Sequence, residues 1–218
     1  MNEVAQIAAA THAPRWAVLQ QSPDQALIER IAKQDKLAMQ VLYARHHVRV
    51  YRFVVRLTGS AAMAEDLISE IFLEAWRGAA RFEARSSVGT WLLAIARYKA
   101  LSALRRRRDE GLPIEAAADI ADPDDDPAMH IEKKNESEIL RACLDQLSPH
   151  YREVIDLVYY HEKSVGEVAA IVDAPLNTVK TRMFYARRRL SDLLAAAGIG
   201  RNERARAAAQ LAEARQAA

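Results

Sequence analysis

Residues 164–190 read SVGEVAAIVDAPLNTVKTRMFYARRRL, and the fold is decided there. Ser164 and Glu167 form an S-x-x-E capping box, in which each side chain satisfies the other residue's unpaired backbone amide at a helix start. The pattern predicts a helix from Val165, because Val165, Val168, Ala169 and Val172 recur at three- and four-residue spacing. The small Ala169 lets a crossing helix come close. Asp173, four residues further on, is among the few residues other than Gly that tolerate the left-handed backbone of a tight turn. Pro175 suits the first position of a second helix, since it has no amide hydrogen to leave unpaired. The stretch reads as helix, turn, helix.

In the second helix Leu176, Val179, Met183, Ala186 and Leu190 mark an inward stripe. Asn177, Thr178, Lys180, Thr181, Phe184, Tyr185 and Arg188 are left outward or flanking. Between Leu176 and Leu190 stand five cations (Lys180, Arg182, Arg187, Arg188, Arg189) and no acid, in a chain whose net charge is only +2. Solvated faces normally mix signs, so this bias points to phosphate, and the unit reads as a DNA-binding helix-turn-helix.

Working outward, the 218 residues allow one or two domains, with 50% apolar and 28% charged residues. Seven Gly and seven Pro among many Ala, Leu, Arg and Glu, with no sustained strand-like alternation, predict an all-α chain. The single Cys143 allows no internal disulfide and suits a reducing compartment. The N-terminus lacks the pattern of a signal peptide, and no apolar run reaches the roughly 20 residues needed to span a bilayer. Residues 1–23, Ala- and Gln-rich between Pro14 and Pro23, read as a poorly ordered tail.

From Asp24 two helices are predicted, through Leu27, Ile28 and Ile31 and then from Leu37 to a stop at Gly59. A third runs from about Ala62 to Trp76, burying Leu67, Ile68, Ile71, Phe72 and Ala75. On it Asp66, Glu70 and Glu74 fall at i, i+4 and i+8, where like charges cost roughly a few tenths of a kcal/mol per pair. A basic partner for this face is expected. Ser86 or Ser87 caps a fourth helix, TWLLAIARYKALSALRRRR, ending in Arg105 to Arg108. The macrodipole favours one or two cations at a helix end, and four suggest a polyanion. Asp109 to Asp126 then holds eight acids and no base, with Pro113 and Pro123, and reads as a flexible linker. Helical pattern returns near His130, and Ser148 with Pro149 starts the helix that leads into the opening motif.

Four segments, AEDLISEIFLEAWR, GTWLLAIARYKALSALRRR, LDQLSPHYREVIDLVYY and 164–190, together resemble the extracytoplasmic-function (ECF) sigma factors of the bacterial sigma-70 family. The resemblance covers roughly residues 24–195. It implies an alternative sigma factor, cytoplasmic and without cofactor, in which two small helical domains are joined by the acidic linker. Residues 24–108 would be region 2, 109–134 the linker, 135–197 region 4, and 198–218 a C-terminal Ala/Arg-rich tail. Asp66, Ser69, Glu70 and Phe72 would bind the beta-prime coiled coil of core RNA polymerase, which supplies the basic partner. Ser86, Ser87, Thr90, Trp91, Arg97, Tyr98, Arg105 and Arg106 would read and melt the minus-ten element, with a base extruded from the stack. Tyr98 stands where many members have Asn; it can stack on a base but lacks two-sided amide hydrogen bonding. Region 4 would dock on the beta flap and read the minus-thirty-five element with Asn177, Thr178, Lys180, Thr181, Arg182, Phe184, Tyr185 and Arg188. Tyr185 replaces an Arg found in some relatives. The linker would thread the polymerase's nucleic-acid channel, and an anti-sigma factor would hold the free protein inactive.

Catalysis is disfavoured: no phosphate loop or nucleophile motif occurs, and the six His lack metal-ligand spacing. Two rivals are a stand-alone helix-turn-helix regulator and a sigma-like mimic that sequesters an anti-sigma factor. The first leaves the acidic helix unexplained. The second has no need of the basic face from Lys180 to Arg189.

Overall fold

The computed structural model describes residues 15–111 and 130–198. Among the described residues there are nine α-helices, one 3-10 turn and no strand. The chain forms two units, the first holding α1 to α5 and the second holding α6, α7, α9 and most of α8.

In the first unit α1 (Arg15–Gln21), α2 (Asp24–Ile31), α3 (Lys36–Thr58), α4 (Ala61–Gly78) and α5 (Val88–Asp109) follow in order, with the 3-10 turn Ala79–Arg81 between α4 and α5. Local chemistry sets most of the boundaries. Asp35 caps α3 by accepting from the amides of Leu37 and Ala38 at 3.1 and 3.3 Å. The Arg30 guanidinium donates to the same carboxylate, and this hydrogen bond holds Asp35 below the usual carboxylate range. At its other end α3 stops at Gly59, whose φ of 70° is left-handed, and Ser60 then caps α4.

Helices α3, α4 and α5 pack against one another in pairs, and α2 lies on α3. Phe53, Leu42, Val54, Ile71 and Leu92 are wholly or almost wholly buried in this core. Burying one such side chain contributes about 1.5–3 kcal/mol.

Part of the stretch expected to be an N-terminal tail, residues 1–23, is helical. Residues 1–14 lie outside the described residues, but Arg15–Gln21 is the helix α1, packed on α3 with Leu19 fully buried. Its end is fixed from a distance. Arg45 of α3 donates to the carbonyls of Gln20 at 2.9 Å and Ser22 at 3.1 Å, and its guanidinium also pairs with Asp24.

The second unit contains α6 (His130–Asp145), α7 (Pro149–Tyr159), α8 (Val165–Val172) and α9 (Leu176–Ala196), with α9 packed on α6 and α7. Ser148 occupies the cap of α7 with Pro149 at the first turn, although its side chain makes no capping hydrogen bond. Arg152 ties the end of α6 to α7, donating to the carbonyls of Leu144 and Asp145 at 3.1 and 2.6 Å. The buried His161 brings its Nε2 to 3.3 Å from Asp156 Oδ2 in the turn after α7.

The linker expected at 109–134 falls largely on residues 112–129, outside the described residues; Asp109 ends α5, and residues 130–134 already belong to α6. The tail expected at 198–218 lies outside them from residue 199 onward. Among the described residues no helix is long and apolar enough to cross a membrane.

Candidate functional site

Three surfaces carry the residues singled out by sequence. On α4, Asp66, Ser69 and Glu70 are exposed and share one face. Glu70 already has one basic neighbour, Lys99 of α5, whose Nζ donates to Oε2 at 3.2 Å. Phe72 does not belong to this surface. It is 4% exposed, and the Tyr43 ring meets it edge-on with centroids 4.8 Å apart. The apolar residue that the acidic face does present is Leu73, 46% exposed, two turns beyond Asp66. In the run IFLEAW both Phe72 and Leu73 are apolar, and composition alone does not choose which faces solvent.

The second surface lies along the loop before α5 and the helix itself. Ser87 caps α5 by accepting from the Thr90 amide at 3.2 Å, and its Oγ lies 2.8 Å from Thr90 Oγ1. Thr90 is therefore 1% exposed and structural, and cannot touch a ligand without the cap opening. Trp91 is half-buried, with its ring centroid 4.9 Å from that of Phe82. It also runs over Gly78: a Cβ there would stand 3.3 Å from the indole, so the glycine makes room for the ring. Ser86 and Arg97 are half-buried, whereas Ser87, Arg105 and Arg106 are exposed. Tyr98 is 72% exposed, on the same face of α5 as Ser102 and Arg105. A ring followed by cations two turns away can stack on a base and hold its backbone.

The third surface is α9, reached through the turn that the sequence predicted. The capping box forms in full: Ser164 Oγ accepts from the Glu167 amide at 3.3 Å, and Glu167 Oε2 accepts from the Ser164 amide at 3.1 Å. Asp173 is left-handed at φ 49°, ψ 56°. Pro175 sits at the cap, one residue ahead of the expected first position. The inward stripe is shorter than expected. Val179, Met183 and Ala186 are buried, but Leu176 is exposed at the helix start and Leu190 is half-buried.

Asn177, Lys180, Thr181, Phe184, Tyr185 and Arg188 are all exposed, while Thr178 and Arg182 are half-buried on the flanks. The Phe184 and Tyr185 rings meet nearly at right angles, with centroids 5.3 Å apart. Arg187, outside the predicted set, lies with its guanidinium carbon 5.8 Å from the centre of the Tyr159 ring on α7. No spacing along the chain foretells that contact. The surface is basic, the electrostatic footprint of nucleic-acid binding, and partly aromatic.

The described residues thus form two helical units, one with an acidic face and the other with a basic helix-turn-helix. Residues 42–110 match Sigma-70 region 2, and residues 137–190 match Sigma-70, region 4. The ECF RNA polymerase sigma factor SigK of Mycobacterium bovis (strain BCG / Pasteur 1173P2) is 31% identical over 172 residues, covering 78% of this chain and 92% of the relative. SigK of Mycobacterium ulcerans (strain Agy99) is 32% identical over 173 residues, with the same two coverages. Among solved structures, the sigma factor RpoE in complex with the anti-sigma factor NepR from Bartonella quintana is 27% identical with a TM-score of 0.59, covering 71% of this chain and 95% of that one. The chain belongs to the ECF sigma factors of the sigma-70 family. It is an alternative sigma factor, which binds core RNA polymerase and directs promoter-specific initiation of transcription.

Proposed function

We propose that this sigma factor grips core polymerase with the acidic face of α4 and promoter DNA with two separate surfaces, α5 and α9. Asp66, Ser69 and Glu70, with Leu73 in place of Phe72, meet the beta-prime coiled coil. Tyr98, Arg97, Arg105 and Arg106, with Ser86, Ser87 and the exposed edge of Trp91, engage the minus-ten element. Asn177, Thr178, Lys180, Thr181, Arg182, Phe184, Tyr185 and Arg188 engage the minus-thirty-five element, while the rest of region 4 docks on the beta flap.

The observation that carries this reading is the separation of charge. The three predicted contact residues of α4 that reach solvent bear two acids, whereas α9 from Leu176 to Leu190 has five cations and no acid. An acidic face cannot serve as a second DNA site, so it calls for a protein partner with basic residues. Joining the two DNA surfaces in one chain raises the effective concentration of the second once the first is bound.

The domain limits that go with this reading are region 2 at 24–108, with α1 as an extension packed against it, and region 4 at 135–197. The protein acts in the cytoplasm as an initiation factor without catalysis of its own. An anti-sigma factor holds it inactive until a signal arrives, as the complex of the Bartonella relative with NepR suggests by analogy.

Run-off transcription with purified core polymerase on a library of randomised promoters tests the reading. Enrichment of templates sharing two separated sequence blocks is expected. Initiation no better than that of core polymerase alone overturns it.

A further inference from the structure

Arg187 is a cation that the base-reading face of α9 does not use. At 100° per residue, Asn177, Thr181, Phe184 and Arg188 turn outward and Val179 and Met183 inward, while Arg187 falls within about 20° of Lys180 on the flank between them. On that flank Val165, Lys180, Met183, Phe184, Arg187 and Arg188 line an open groove of about 480 Å³. Over one side of Arg187 stands Tyr159, 57% exposed at the end of α7, with its ring centre 5.8 Å from the guanidinium carbon. Among the described residues no carboxylate pairs with Arg187.

These facts fit together in one way. A helix lying in a major groove about 12 Å wide turns its outward face to the base edges and its flanks to the phosphate rows. A flank cation is therefore turned toward the backbone more than toward the bases. An arginine in water loses rotamer freedom when it clamps a ligand, and a ring that already restricts the guanidinium lowers that loss. The ring face also attracts the cation while leaving its N–H donors free around the edge of the plane. Tyr159, more than half exposed at the end of α7, thereby acquires a role.

We propose that Arg187 grips a phosphate of the duplex bordering the minus-thirty-five element, and that Tyr159 is a positioning residue that aims it. This rests on the reading of α9 as the minus-thirty-five helix, and it adds a residue from a different helix to that site.

The test is equilibrium binding of core polymerase carrying the full-length chain to promoter duplex, between 50 and 200 mM salt. Each phosphate contact contributes about 0.9 to the slope of log affinity against log salt. Arg187→Ala should weaken binding at low salt and flatten the slope by about 0.9, making the loss over this fourfold salt range about 3.5-fold smaller than for the unaltered chain. The loss should be the same whatever bases occupy the minus-thirty-five element. Tyr159→Phe, which keeps the ring face, should bind as the unaltered chain does. Tyr159→Leu should bind more weakly with the slope kept, and should add no loss when Arg187 is already Ala.

An unchanged slope in Arg187→Ala overturns the phosphate contact. A Tyr159→Leu loss that persists without Arg187 overturns the positioning role, as does a loss in Tyr159→Phe. If the unaltered chain gives no gain over core polymerase alone, the minus-thirty-five reading itself fails and takes the proposal with it.

Discussion

Lys99 Nζ lies 3.2 Å from Glu70 Oε2, joining α5 to the acidic face of α4. Glu70 still shows 55% of its side chain to solvent, so the pair leaves the carboxylate open to a partner. An ion pair this exposed contributes only about 0–1 kcal/mol. Lys99→Ala should therefore leave the melting temperature almost unchanged and core-polymerase affinity within about threefold of the unaltered chain. Reversing Asp66 and Glu70 to Lys puts like charges against a basic partner and should abolish binding, by at least about tenfold for each charge. Titration of labelled chain with core polymerase, alongside circular dichroism to show that the helices persist, measures both. Retained affinity in the double reversal would remove this face from the interface.

The neighbouring pair Phe72 and Leu73 separates stability from binding. Phe72→Ala empties a buried site and should cost about 3–5 kcal/mol. Leu73→Ala, on the surface, should change stability by no more than about 0.5 kcal/mol yet weaken the hold on polymerase. Thermal melts and the same titration distinguish the two; a Leu73→Ala variant that binds at full strength would confine the interface to its acids.

What the chain disclosed about itself followed the range of the interactions involved. The stop at Gly59, the cap at Ser87, the box of Ser164 with Glu167 and the left-handed Asp173 each depend on residues within a turn or so, and sequence patterns record such chemistry directly. α1 is the opposite case: Arg45 holds its end from more than 20 residues away, so a short Ala- and Gln-rich segment looked like a tail. Thr90 is polar in sequence and buried in the fold, because Ser87 turns it inward beside the cap. Phe72 and Leu73 differ by one step of helical phase, and only packing against Tyr43 decides between them. The basic face of α9 was legible from charge alone; the ring beneath Arg187 comes from a different helix and was not.

The anchor of α2 and α3 makes a prediction about pH. Asp24 Oδ2 lies 2.7 Å from His46 Nε2, and the carboxylate also pairs with Arg45. The hydrogen bond to His46 is the main influence holding Asp24 below its ordinary value of 3.8, with the charges of His46 and Arg45 adding to it against the opposing effect of burial. The unfolded chain then takes up this proton at a higher pH than the folded chain does. The stabilisation is full above the unfolded value and is lost as pH falls through the lower folded one. Asp24→Asn should accordingly be less stable than the unaltered protein at pH 6, with the difference shrinking below about pH 4. Denaturant titrations at a series of pH values check this, and a gap that widens in acid would contradict it.

Lys180 is exposed on the same flank of α9 as Arg187, and no described acid pairs with it. Replacing it with Ala should weaken promoter binding by about 1–3 kcal/mol if it contacts a base edge, and should relax the preference at one position of the minus-thirty-five element. Binding to duplexes varied one base pair at a time reveals whether the loss is confined to that position. A uniform loss across all sequences would make Lys180 a phosphate contact instead.

Asp173 controls how α9 leaves α8, and its left-handed backbone sets up a graded comparison. An ordinary L-residue in that conformation costs roughly 1–2 kcal/mol, because its Cβ crowds the following carbonyl. Asp and Asn reduce this by local hydrogen bonding, and Gly has no Cβ to crowd. Asp173→Gly should therefore fold with nearly the same stability, while Asp173→Val, branched at Cβ, should lose about 1–2 kcal/mol or shift the turn. Because the turn aims every contact on α9, the Val variant should also bind promoter DNA more weakly at temperatures where it remains folded. Chemical denaturation gives the first quantity and duplex binding the second. A Val variant as stable as the Gly variant would mean that the backbone at this position is free to leave the left-handed region, and that something other than Asp173 fixes the angle between the two helices.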